Sequence, residues 1–145
     1  MQLTFVVVVL LSFFSVLKCD TPANCSFEDV AGNWIFYIGE GGNTNRLKCE
    51  DKFEAVRELG IRLLFPDLAV DQEGNLGFWT MIYNQGFEVK INGSKYFAFS
   101  KYEKSGKKVV SYCDQTLNGW SHDAANSQIN WACYYGLYLS NFVNG

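Results

Sequence analysis

From about residue 33 onward the hydrophobic pattern predicts mostly strands, as apolar, aromatic and β-branched runs between turn residues and, in places, as apolar–polar alternation with a period of two. In Lys95–Tyr102, "KYFAFSKY", Tyr96, Ala98, Ser100 and Tyr102 fall on one face, and Phe97, Phe99 and Lys101 on the other. Both faces carry aromatics. A flat sheet covered on one side does not need that, but a barrel with a packed interior and a covered or associating exterior does. "NWIFYIG" (Asn33–Gly39) reads as a strand, with the turn residues "EGGNTN" after it. Phe78–Ile91 reads as two strands around Asn84-Gln85-Gly86, and Ser94–Tyr112 as two more around Lys104-Ser105-Gly106. "NGS" at 92–94 can turn between these hairpins. Cys49–Pro66 is ambiguous: Phe53, Val56, Leu59 and Gly60 allow a short helix, whereas "IRLLF" and "LAV" look like strand. Asp71–Gly77 is a turn, and the last third holds a polar loop followed by a short strand at Asn130–Tyr135. The sum is about seven or eight short strands, which points to an all-β antiparallel barrel or sandwich.

The N-terminus breaks this pattern. Leu3 to Leu17 is almost wholly apolar, too short to span a bilayer comfortably, and placed where a secretory signal belongs. No Lys or Arg precedes the run, and Lys18 follows it. The expectation is a signal peptide over 1–19, cleaved after Cys19; a retained membrane anchor is the rival reading. Removing 1–19 takes Lys18 with it, leaving 11 basic against 15 acidic residues, a net charge of −4. Such a chain has no basic surface fit to track a phosphate backbone, so nucleic-acid binding is not expected.

Four cysteines then remain, Cys25, Cys49, Cys113 and Cys133, which in an exported domain read as two disulfides. Three pairings are open. Their spacings of 24, 64 and 20 residues, with one histidine in the chain, do not cluster ligands as structural zinc sites do, so no metal is expected. "NCS" at Asn24 and "NGS" at Asn92 are glycosylation sequons and agree with export.

Candidate chemistry is thin. A thiol peptidase needs a free cysteine beside a histidine. Four bridged cysteines leave no nucleophile, and "NWACYYG" around Cys133 lacks the glycine-rich signature of papain-type cysteines. His122 in "GWSHD" reads as a hydrogen-bonded loop residue, and the adjacent Asp123 does not make a dyad because neighbouring side chains diverge. Glu28-Asp29 and Glu50-Asp51 read as solvated pairs rather than glycosidase carboxylates. "GNW" at Gly32–Trp34 has the spacing of a lipocalin's first strand, but a packed core explains the same residues.

Seven stretches together carry a more specific signal: "DTPANCS" (Asp20–Ser26), "GNWIF" (Gly32–Phe36), "IYNQGFE" (Ile82–Glu88), "KYFAFSKY" (Lys95–Tyr102), "SYCDQT" (Ser111–Thr116), "GWSHD" (Gly119–Asp123) and "NWAC" (Asn130–Cys133). In this order, over roughly Asp20 to Gly136, they resemble the exclusion domain of cathepsin C (dipeptidyl peptidase 1). The resemblance implies an antiparallel up-and-down β-barrel of about eight strands, with Cys25 paired to Cys113 and Cys49 to Cys133. It implies a domain over 20–136 and a divergent tail over 137–145. The parent family is a lysosomal cysteine exopeptidase that removes dipeptides from free N-termini. It assembles as a tetramer and binds chloride in its papain-like part, so no cofactor is expected in this chain.

By the same resemblance, the Asp20 carboxylate meets the substrate's terminal ammonium. The "YNQGFE" turn lies beside it, with Glu88 binding the Asp20 amine and Tyr83 packing nearby. The family's catalytic Cys, His and Asn do not appear in these residues, and "LYLSNFVNG" departs from the family, so no peptidase activity is expected of this chain by itself. The expected partners are a papain-like catalytic chain and a peptide N-terminus, without nucleic acid or membrane, in the secretory pathway, lysosome or extracellular space. The alternative is a free-standing secreted barrel that binds a peptidase as a decoy or inhibitor, or carries a small ligand.

Overall fold

The computed structural model describes residues 21–42 and 46–140. The expected signal segment and Asp20 lie outside the described residues. A one-turn helix α1 (Phe27–Val30) is followed by nine strands: β1 (Gly32–Gly39), β2 (Ala55–Leu64), β3 (Leu68–Asp71), β4 (Leu76–Ile82), β5 (Gly86–Ile91), β6 (Ser94–Ser105), β7 (Lys108–Thr116), β8 (Gly119–Asp123) and β9 (Ala132–Tyr138).

All pairings are antiparallel, and the ring closes where β9 pairs with β1, Trp34 opposite Tyr138 and Phe36 opposite Gly136. Eight staves make the barrel, because β7 and β8 share one. β7 covers the distal half of β6 (Ser105 opposite Lys108, Lys101 opposite Tyr112), and β8 covers the proximal half (Phe97 opposite Trp120, Ser94 opposite Asp123). Between them the register slips, since Ser100 faces Thr116 while Lys101 faces Tyr112, and Cys113, Asp114 and Gln115 have no partner on β6. This is the expected up-and-down barrel with one broken stave.

The period-two pattern sets the interior. Trp34, Phe36 and Ile38 of β1, Phe87, Val89 and Ile91 of β5, Tyr96 and Ala98 of β6, and Tyr134 of β9 all point inward and are buried. Their rings touch one another: Phe36 lies 4.9 Å from Tyr134 and 5.5 Å from Tyr96, and Trp34 lies 5.1 Å from Phe87, centroid to centroid. Side chains therefore fill the barrel, which disfavours a lipocalin-like carrier. The "GNW" tryptophan belongs to this core, its indole N–H donating to the Val30 carbonyl at 2.8 Å. Packing this tight needs bare backbone at some inward positions. A Cβ at Gly119 would collide with the Phe97 carbonyl of the next strand.

Both disulfides are formed, Cys25–Cys113 and Cys49–Cys133, in the pairing that the resemblance implied. Of the two readings open for Cys49–Pro66, the short helix that Phe53, Val56, Leu59 and Gly60 allowed is absent. Ala55–Leu64 is strand β2, with Leu59 opposite Phe36 and Ile61 opposite Trp34. Four apolar positions fitted a helical period by chance, and the cross-strand partners on β1 decide the conformation. The polar stretch after residue 118 begins with strand β8 rather than a loop, held between β6 and β9.

Candidate functional site

The segment leading away from residue 20 is fastened to the barrel at several points. The Cys25 N–H donates to the Asn84 carbonyl at 2.8 Å, in the turn between β4 and β5. The Asn24 N–H donates to Ser111 Oγ at 2.9 Å, on β7. The Cys25–Cys113 bridge fixes the same segment to the bulge of the broken stave. Ala23 is buried, and Ser26 caps α1 in a reciprocal arrangement with Asp29 at 2.9 and 3.2 Å. The chain thus enters the fold along a fixed path between the β4–β5 turn and the base of the β6–β7 hairpin.

A cavity of about 490 Å³ opens on this path, lined by Ala23, Asn24, Tyr83, Asn84 and Gln85. Tyr83 stands there in the left-handed region, φ 52°, with its side chain 81% exposed. A bulky residue in that conformation is strained. The turn is held on both sides of it, since the Gln85 N–H donates to the Ile82 carbonyl at 3.2 Å and the Gln85 carbonyl accepts from Ser100 at 2.8 Å.

Glu88 lies five residues after Tyr83, on the outer face of β5, opposite Thr80 of β4 and Phe97 of β6. Its carboxylate sits 3.6 Å from Lys95 Nζ and 3.9 Å from Lys90 Nζ. The two sequon residues, Asn24 and Asn92, are both exposed, Asn92 at the β5–β6 turn with φ 50°.

The structure gives the other polar candidates structural duties. His122 Nδ1 lies 2.8 Å from the Asp123 carbonyl, and the ring packs on Trp131 at 4.7 Å. The Asp123 carboxylate accepts from the Ala125 and Asn126 N–H groups at 2.9 and 2.8 Å, so it closes a loop. Asp29 is half of the capping box, and Glu50 and Asp51 are exposed. Asn84 and Ser111 were not singled out from sequence. Asn84 acts through its carbonyl, a group every residue carries, so no side-chain signal could have marked it.

Known proteins identify the family of this chain. The family described as the cathepsin C exclusion domain matches residues 20–137. Cathepsin C of Schistosoma mansoni is 39% identical over 117 residues, covering 81% of this chain and 24% of the relative. The chain thus spans about a quarter of the length of that curated relative.

Proposed function

Because the chain belongs to the cathepsin C exclusion-domain family, we propose that it is the non-catalytic specificity module of a papain-like dipeptidyl peptidase. In this reading, residues 20–137 dock on a papain-like catalytic part in the secretory pathway and close its cleft beyond the second substrate residue. Asp20, as the first residue after signal removal, presents its carboxylate to the substrate's terminal ammonium.

A carboxylate titrates near 3.9 and a terminal amine near 7.7–8.0, so at about pH 5 both are charged. A charge-assisted hydrogen bond between them is worth roughly 1.5–3 kcal/mol. Two extended residues span about 7 Å, so a carboxylate fixed that far from the scissile bond measures out a dipeptide. The barrel wall also rejects longer extensions of the substrate.

The observation that supports this most is the fastening of Ala23–Cys25. Asn24 is tied to Ser111, and Cys25 to the Asn84 carbonyl and to Cys113, so the chain four and five residues after Asp20 is held beside the Tyr83–Gln85 turn. Without such fastening a carboxylate could not serve as a fixed end point.

In the whole enzyme carrying this domain, Asp20→Ala is expected to lower kcat/KM for dipeptide release about 10- to 150-fold, the rate equivalent of that bond. Asp20→Asn keeps the shape and removes the charge, and its loss should be nearly as large. Unchanged turnover in both variants would refute the assignment.

A further inference from the structure

The hairpin formed by β6 and β7 extends past the barrel. Every residue from Glu103 to Val110 is exposed. Four of the chain's 12 Lys and Arg residues and one of its 15 Asp and Glu residues lie in Lys101–Tyr112, so this arm carries +3 and the remainder of the chain −6. We propose that this arm is a docking site for a sulfated polysaccharide chain.

The geometry separates the cations from their potential neutralisers. The arm's single acid, Glu103, accepts from the Tyr112 hydroxyl at 3.1 Å, on the side nearer the barrel. Lys101 is held there too, 3.3 Å from Gln115 Oε1 and 5.8 Å from the centre of the Tyr112 ring. The side-chain ammonium groups of Lys104, Lys107 and Lys108 have no hydrogen-bond or ion-pair partner among the described residues. Lys104 opposes Val109, and Lys108 opposes Ser105, so their side chains leave on opposite faces of the hairpin. Lys107 lies between them in the tip, beside Gly106 at φ 60°. Three uncompensated ammonium groups therefore crown a narrow arm instead of tiling a plane.

That shape chooses among polyanions. A flat bilayer would engage one face and would need an apolar wedge beside the charges. The arm offers only Val109 and Val110, 36% and 40% exposed and on opposite faces. A flexible rod bearing closely spaced sulfates can lie across the tip and reach all three cations. The two disulfides place the protein in an oxidising compartment, where such chains occur and nucleic acids are scarce. The negative remainder of the chain repels a polyanion and steers it toward the arm.

The test uses the full secreted chain and a size-defined heparin oligosaccharide, titrated by calorimetry. With three contacts and a polyelectrolyte slope of about −0.7 per contact, affinity should fall roughly 18-fold between about 50 and 200 mM salt. The variant K104Q/K107Q/K108Q should lose this binding. K48Q/K52Q/R57Q, which removes the same charge from exposed positions elsewhere, should keep it. No heparin binding by the unaltered chain at low salt, or equal loss in both variants, overturns the proposal. Anionic phosphatidylserine vesicles or poly-glutamate binding as tightly as heparin overturns the choice of a sulfated chain. Circular dichroism of both variants guards against misfolding, which is not expected because all six positions are exposed.

Discussion

Removing the Cys25–Cys113 bridge should cost more than any single packing contact, and the cost can be worked from the fold. The bridge closes a sequence separation of 88 residues, for which chain entropy alone gives about 4.6 kcal/mol. The second bridge shortens that loop. With Cys49–Cys133 intact, the path from Cys25 to Cys113 can run through it and spans only about 44 residues. The same expression then gives about 4 kcal/mol. Cys25 is also fully buried, so Cys25→Ala with Cys113→Ala adds a small void costing about 1 kcal/mol. The double variant should lose about 4–5 kcal/mol, a fall of the order of 15 °C in Tm for a domain of this size. Thermal unfolding followed by circular dichroism measures it, with urea titration as a second readout. Hydrogen exchange should also show the Cys25 amide, bonded to the Asn84 carbonyl, losing protection first. A loss below about 1.5 kcal/mol would refute the reasoning, because the bridge would then constrain neither the unfolded chain nor the entry segment.

Two further outcomes are expected. The Tyr134 hydroxyl is buried without a hydrogen-bond partner, and burial, with Tyr96 and Glu88 nearby, pushes its pKa well above the ordinary phenol value. Tyr134→Phe should therefore be neutral or stabilising by about 1 kcal/mol in urea unfolding; a loss above about 2 kcal/mol would show that the hydroxyl is satisfied. The Asp71 carboxylate accepts from the Asn75 side chain at 2.8 Å and from the Asn75 and Glu73 N–H groups at 2.9 and 3.0 Å. The Asn75 side chain is the main cause of a pKa held below the usual carboxylate value. Since the folded value lies under the unfolded one, this contribution is present above about pH 4 and fades as pH falls further. Asp71→Asn should flatten the stability–pH curve below pH 4, and an unchanged acid limb would contradict the assignment.

Much of the fold was legible because it is local. Alternation along β6 grouped Tyr96, Ala98, Ser100 and Tyr102 on one face, and the first three are buried. The Asn92-Gly93 turn has the two positive φ angles, 50° and 78°, that its sequence demands. Features decided by distant partners were not legible. Ala55–Gly60 carries no clear strand signal and becomes β2 because β1 lies alongside. Gly119–Asp123 is too short and polar to announce itself, yet it fills half a stave between β6 and β9. Cysteine pairing is also non-local, and spacing alone left three choices. The resemblance resolved them correctly, because a family pattern stores three-dimensional neighbours that one chain's periodicity does not. The fastening of the entry segment was hidden for another reason: it uses the Asn84 carbonyl and the Asn24 amide, and backbone groups leave no mark in side-chain patterns.

In the proposed function, an anchored acidic N-terminus counts residues for a partner's catalytic groove. Mass spectrometry of products released from one long peptide by the assembled enzyme tests it most directly, with the free-amine and N-acetylated forms run side by side. Dipeptides alone from the free amine, and almost nothing from the acetylated form, is the predicted result. Fragments of mixed length, or equal cleavage of both forms, would contradict it.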